Sequence, residues 1–285
     1  MPEVRCRYCG WFYNKPAGYR KTKIGRKKLY KCMNCNRKFT PDSAFIGMRN
    51  KSEIITQCLD LYISGLSLRA VSQHMKRRGI ELSHTCIYKW IRKYSKMLKR
   101  HTDNFKVDGQ DTHLNADEMM VQLNGKWVWL WNIISKENRF VLASRFSRTR
   151  EMGDAKALFK ETKSKIYGLP MKITTDGMQA YPRAINSAFY SNTYPRVEHY
   201  IAPGITHKHQ NNLVERHHNT IRQRTKTMRG FANMESASDI MDLWTVHFNY
   251  MRPNAALNGK TPSESAGLGK HNLKEMIEVA YESGK

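Results

Sequence analysis

The run HLNADEMMVQLNGKWVWLWNII, from His113 to Ile134, decides how the rest of the chain is read. Its first half alternates apolar and polar side chains with a period of two, as a half-buried strand requires. It ends at Asn124-Gly125, a pair that enters a tight hairpin turn at little steric cost. Trp127 to Ile134 then climbs back and Arg139 to Phe146 supplies a third strand, so the segment reads as a β-meander. Trp127, Trp129 and Trp131 share one strand face, where core burial is favoured over a base-stacking platform. One acid stands out: Asp117 lies in mid-strand among Leu, Met and Val, where an unpaired carboxylate is expensive to bury.

Downstream, Gly153 to Tyr167 has helical spacing through Ala157, Leu158 and Ile166 until Gly168 and Pro170 break it. Met171 to Thr175 gives a fourth strand that stops at Asp176-Gly177. A meander, a helix and a parallel return strand are the opening order of a ribonuclease-H-like fold, and the expected class is α/β. Asn211 to Lys226 reads as a helix with Glu215 in its first turns. Three acids so placed, Asp117, Asp176 and Glu215, suit two magnesium or manganese ions, which activate water and stabilise the departing oxygen of a phosphodiester. Each has a plainer reading. Asp117 could be a salt-bridge partner with Glu118 as the competing ligand, Asp176 a turn residue, and Glu215 a partner of Asn219 or Arg222 on its own helix. Spacing alone leaves both readings open.

Upstream, Cys6-x2-Cys9 and Cys32-x2-Cys35 are separated by 22 residues, which suits four thiolates converging on one zinc ion. Gly10 and Asn36, each following a pair, tolerate the left-handed backbone that a metal-binding knuckle needs. Lys21 to Lys31 reads as a basic hairpin, with Phe39 capping a small core. A closed four-sulfur site leaves no open position for chemistry, so the zinc is expected to be structural. Three amphipathic helices are expected next. Ser52 caps one that Gly65 ends, Ser67 caps a second that Gly79 ends, and Ser83 starts a third over Thr85 to Leu98. In the third, Ile87, Trp90, Ile91 and Tyr94 face inward while Lys89, Arg92, Lys93 and Lys96 face out. That fits the recognition helix of a helix-turn-helix, with Ser83, His84 and Thr85 nearest the bases; the bland alternative is a three-helix bundle with a solvated face. Cys58 and Cys86 read as core thiols.

The 285 residues carry 49 Lys+Arg against 24 Asp+Glu, a formal net charge of +25 with a pI near 9.9. Residues 1–112 hold 25 bases and 8 acids, so +17 of the surplus lies in the front two-fifths. A concentrated surplus of that sign favours a polyanionic partner, double-stranded DNA above all. No run approaches the ~20 apolar residues of a membrane span, and the polar start of the chain lacks a secretory stretch, so the expected location is cytoplasmic, at a prokaryotic nucleoid. Arg216, Arg222, Arg224, Lys226 and Arg229 crowd around Glu215, as a phosphate track beside the acids would. His199, His207, His209, His217 and His218 gather in the same region and read as DNA contacts or packing.

These blocks carry a resemblance. Asp117-Glu-Met with the following NGKWVWLW, Ile173-Thr-Thr-Asp176-Gly with Tyr181 and Ala184, Asn211-Asn-Leu-Val-Glu215-Arg-His-His with Ile221-Arg222, Met228-Arg-Gly-Phe231, and Phe248-Asn-Tyr-Met-Arg-Pro-Asn254 with Thr261-Pro262 resemble the DDE transposases of bacterial and archaeal insertion sequences. The closest group is the one numbered six, with the group numbered one more distant. The resemblance spans roughly residues 113–265. It implies that Asp117, Asp176 and Glu215 are the metal-binding catalytic acids and that Arg222, seven residues after the glutamate, is the basic residue of such enzymes. It also implies a homodimer or larger assembly on DNA. The 39 positions from Asp176 to Glu215 suggest a small insertion over 188–205.

The expected organisation is a zinc ribbon over 1–45, a helix-turn-helix over 46–100, a linker over 101–112, the catalytic domain over 113–265 and a tail over 266–285. The expected function is a transposase that recognises the terminal inverted repeats of its element, nicks the DNA and joins the freed 3′-hydroxyl to a target. Rival readings are a DNA-binding regulator with an inert rear domain, and a nuclease of the same fold that cuts without joining.

Overall fold

The computed structural model describes residues 4–22, 25–41, 43–110, 112–190, 197–202, 211–228 (backbone alone at 227) and 230–284. His207, His209 and Arg229, and much of the suggested insertion over 188–205, lie outside them.

The front of the chain is a three-stranded antiparallel sheet: β1 (Asn14–Thr22), β2 (Gly25–Cys32) and β3 (Lys38–Phe39). The hairpin is longer on its first strand than the charged run suggested, with an irregularity between Pro16 and Tyr19. Phe39 is buried beside Cys6 and Cys32, so this sheet has its own miniature core.

Three helices follow, α1 (Ser52–Ile63), α2 (Leu68–Arg77) and α3 (His84–Thr102). Ser67 and Ser83 accept from the backbone N–H of Ala70 and Cys86, as helix caps do. The expected cap at Ser52 is not made; Ser52 is already helical and Lys51 holds the cap position without a side-chain bond. Helix α3 is no free recognition rod. It packs against α7 (Met234–Tyr250) and α9 (Leu273–Ser283) as well as α1 and α2. The expected tail is therefore a structural helix: Met276, Ile277 and Ala280 are buried, and Glu278 accepts from the Ala44 N–H at 2.9 Å. The expected linker is structured too. Val107–Asp108, strand β4, pairs in parallel with β8 (Ile166–Tyr167), and Val107 is buried.

The five-stranded sheet at the centre is built from β5 (His113–Leu123), β6 (Lys126–Ser135), β7 (Val141–Ser147), β9 (Lys172–Thr175) and β10 (Glu198–Ile201), in the order β10-β9-β5-β6-β7. Strands β5, β6 and β7 are an antiparallel meander, and β9 runs parallel to both β5 and β10. Helices α4 (Met152–Ser164) and α5 (Ala180–Phe189) pack on one another, with α4 against β6 and β7; α6 (Asn212–Met228) lies on β5 and β6, and α7 on β7. The result is a mixed α/β layer structure with the strand order of a ribonuclease-H-like sheet. Two sets of contacts finish the sheet. Asn249 of α7 bonds both the N–H and the C=O of Val141, as a neighbouring strand would. Phe231 exchanges backbone bonds with Gln122 and Asn124 at the far end of β5. Gly230 makes that approach possible: its φ is +88°, and a Cβ there would lie 2.7 Å from the Gln122 carbonyl. A short helix, α8 (Pro262–Ser265), precedes α9.

Candidate active site and metal centre

Strand register explains why two distant acids meet. His113 pairs with Lys172 and Asn115 with Thr174; the same parallel offset carried on two places sets Asp117 beside Asp176. Strand β9 stops at Thr175 while β5 continues to Leu123, so Asp176 stands where the sheet opens. Its Oδ1 accepts from the Met178 N–H at 3.1 Å, an Asx turn that aims the carboxylate. Carboxylate oxygens of Asp117, Glu118 and Asp176 lie within 4.8 Å of one another.

Glu118 is the buried member, with 8% of its surface exposed. Both its oxygens are occupied: one accepts from the Tyr181 hydroxyl, the other from Arg150 Nε at 2.5 Å. Arg150 also reaches Asp176 Oδ2 at 3.2 Å and lies over the Trp129 ring, 5.0 Å from its centroid. A guanidinium thus sits among the acids as their counter-charge. Burial, opposed by the Tyr181 hydrogen bond and reinforced by Asp176, raises the pKa of Glu118; burial also raises that of Asp176, with Asp117 adding to it.

Helix α6 is fastened to β5 around Asp117 by two anchors. Asn211, buried just before the helix, donates to the Ala116 carbonyl at 3.0 Å and accepts from Asn115 at 2.8 Å. His218 is buried with Nδ1 3.4 Å from Asp117 Oδ2 and Nε2 3.1 Å from Asn132. Glu215 falls between these two anchors, one turn before His218, but its side chain is exposed and is not part of the acid cluster. The structure therefore brings Asp117 and Asp176 together and leaves Glu215 outside, with Glu118 in the vicinity instead. Arg150, Tyr181, Asn211 and His218 were not foreseen as parts of this constellation. The tyrosine, asparagine and histidine stand among the residues that carry the resemblance; Arg150 sits in a loop with no periodicity to mark it.

The basic residues divide. Ser83, His84, Thr85 and Lys89 on α3 are exposed, as are Arg216, Arg222 and Lys226 on α6. Arg92 instead pairs with Glu235 and Asp239 of α7, and Lys93 donates to the Ala44 carbonyl at 3.2 Å, so the outward face expected of α3 is largely an intramolecular seam. Arg224 departs furthest from expectation. It bonds the carbonyls of Tyr62, Gly65 and Leu66 and stacks over the Tyr62 ring, completing the last turn of α1 rather than facing solvent. Of the tryptophans, Trp131 is buried, Trp129 half-buried under Arg150, and Trp127 exposed.

In the front sheet, Cys6 and Cys35 Sγ are 3.7 Å apart, Cys9 and Cys32 Sγ 3.5 Å, and all four sulfurs lie within 4.8 Å. Zn–S bonds of about 2.3 Å in a tetrahedron place sulfurs about 3.8 Å apart, so the four thiols fit one zinc ion. Gly10 and Asn36 take φ of 72° and 57°, forming the expected knuckles.

An α/β sheet of this order, with acids gathered where its parallel strands end, is the architecture of enzymes that act on phosphodiesters. The DDE domain family matches residues 111–252. A transposase for an insertion sequence-like element, IS431mec, of Staphylococcus aureus is 26% identical over 178 residues, covering 60% of this chain and 74% of the relative; the transposase of element IS257 in transposon Tn4003 matches equally. Among solved structures, the catalytic core of HTLV-2 integrase in complex with magnesium superposes with a TM-score of 0.39 at 14% identity, over 55% of this chain and 96% of that one. The chain belongs to the DDE transposases of prokaryotic insertion sequences. No described helix is long and apolar enough to cross a membrane.

Proposed function

We propose that this transposase recognises the terminal inverted repeats of its own element with the front modules and cuts and joins DNA with Asp117, Asp176 and Glu215, in the cytoplasm of a prokaryote at the nucleoid. The observation that carries the reading is the meeting of Asp117 on β5 with Asp176 just past the end of β9, which leaves two carboxylates at a sheet opening in front of α6. Glu118 is buried and accepts from Tyr181 and Arg150, whereas Glu215 is exposed on the helix that presses on Asp117, and it is the acid we assign as the third ligand. The three would hold two magnesium or manganese ions. Ions bound there would supply Lewis acidity to an attacking oxygen and to the one that leaves. Asn211 and His218 fix the approach of α6, and Arg222, two turns after Glu215, offers a cation to a strand phosphate.

For DNA recognition we assign the four-cysteine sheet with one structural zinc and the N-terminal turn of α3. The sheet and the segment before it interleave Lys and Arg with exposed Tyr8, Trp11, Phe12, Tyr13 and Tyr19, a surface suited to a nucleic acid. On α3, Ser83, His84, Thr85 and Lys89 are the residues with open access, and Arg216, Arg222 and Lys226 extend the track near the acids. A homodimer or larger assembly holds two ends together. The test is a strand-transfer assay with labelled element ends in magnesium or manganese. Joined product is expected from the wild type, and none from Asp176→Asn although it still binds the ends. Cutting without joining would indicate a nuclease, and no reaction at all a regulator.

A further inference from the structure

Residues 213, 216, 217 and 220 of α6 form a stripe distinct from the one that carries Glu215 and His218. That stripe is one wall of a cleft of about 310 Å³, closed by Ile134 at the end of β6, by Arg139, and by the segment from Phe248 to Asn254 that leaves α7. Three guanidiniums line it, those of Arg139, Arg216 and Arg252. None of them pairs with a carboxylate among the described residues, and no acid lines the cleft. His217 is 4% exposed, packed edge-on against Trp244 and Phe248 at 5.0 and 4.9 Å, and neither ring nitrogen has a hydrogen-bond partner among the described residues.

An unpaired buried N–H costs roughly 1–3 kcal/mol, and three unneutralised guanidiniums around it favour an anion. Arg fork geometry and a single imidazole donor match the oxygens of a phosphate group. The cleft adjoins the catalytic opening: Ile134 is two residues along β6 from Asn132, the cross-strand partner of Asp117. We propose that this cleft binds a backbone phosphodiester of the DNA strand as it crosses α6 away from the acids, and that the Arg252-Pro-Asn254 segment exists to close it. The proposal rests on the reading of the chain as a transposase acting on DNA.

Full-length protein with its zinc in place, and with no magnesium or manganese added, is titrated onto a double-stranded oligonucleotide across a salt series, as wild type, Arg139→Gln, Arg252→Gln and the double variant. Each single substitution is expected to weaken binding evenly across DNA sequences and to make the slope of log affinity against log salt shallower by about 1, the double variant by about 2. Thermal melts check that the variants fold. In a second arm, inorganic phosphate is expected to perturb Trp244 emission in the wild type, to compete with DNA, and to do neither in His217→Ala. Unchanged slopes in folded variants would overturn the cleft alone, as would phosphate binding that leaves DNA affinity untouched, which marks a site for a free anion. A wild type that binds no DNA would overturn the functional reading itself.

Discussion

Replacing Arg150 with alanine removes the one described cation within reach of the acid cluster. The guanidinium meets Glu118, whose side chain is 1% exposed, and Asp176, whose side chain is 35% exposed. Stripping the partner from a buried carboxylate costs about 3–5 kcal/mol when nothing else compensates. Here Tyr181 still donates to Glu118, and the half-exposed pair with Asp176 is screened to at most about 1 kcal/mol. The contact over Trp129 adds roughly 0.5–1 kcal/mol. A net loss of about 2–3 kcal/mol follows, which for a chain of this size lowers the melting temperature by about 4–12 °C at about 2–4 °C per kcal/mol. Because Arg150 competes with divalent ions for the same oxygens, magnesium should restore more stability to Arg150→Ala than it adds to the wild type; saturation at a hundred times Kd is worth about 2.7 kcal/mol. Arg150→Lys keeps the charge without the fork and should fall between. Melting curves in EDTA and in magnesium measure all of this. An alanine variant that melts with the wild type in EDTA, and gains nothing extra from magnesium, would refute the assignment of Arg150 as counter-charge.

Three further outcomes follow from particular contacts. Cys32→Ser should abolish zinc binding, measured by metal content of the purified protein, and weaken DNA binding while the α/β sheet stays folded by circular dichroism. Arg224→Ala should cost about 1–3 kcal/mol in a urea titration by uncapping the carbonyls at the end of α1, with DNA affinity retained below the transition; the reverse pattern would return Arg224 to the phosphate track. Asp242, beside Lys99 and Glu161, has its pKa raised by burial to about 7. An acid whose folded pKa exceeds its unfolded value gives stability at low pH that is lost as pH rises through the folded pKa. Asp242→Asn should therefore melt higher than the wild type above pH 7, with the advantage, on the order of 1–3 kcal/mol, shrinking toward pH 4.

What the residues disclosed and what they concealed have physical reasons. The period-two alternation of β5 and the Asn124-Gly125 turn are local signals, so the meander and the return strand were legible, and with them Asp117 and Asp176. The C-x2-C pairs were legible because metal geometry restricts spacing. Helix α3 misled because a basic face reads alike whether it meets DNA or acids such as Glu235 and Asp239, which lie more than 140 positions away. Arg224 misled for the same reason, its partners being backbone carbonyls that no side-chain pattern advertises. The helix over Leu273–Ser283 is marked only by the spacing of Met276, Ile277 and Ala280, because its partners on α1 and α3 are far away in sequence.

The third acid is where the most direct measurement lies. In a magnesium-dependent strand-transfer assay on element ends, Glu215→Gln should give no cleaved or joined product while binding DNA. Glu118→Gln, which keeps an oxygen for Tyr181, should retain measurable joining at a reduced rate. An active Glu215→Gln beside an inert, folded Glu118→Gln would contradict the assignment and make the buried glutamate the ligand.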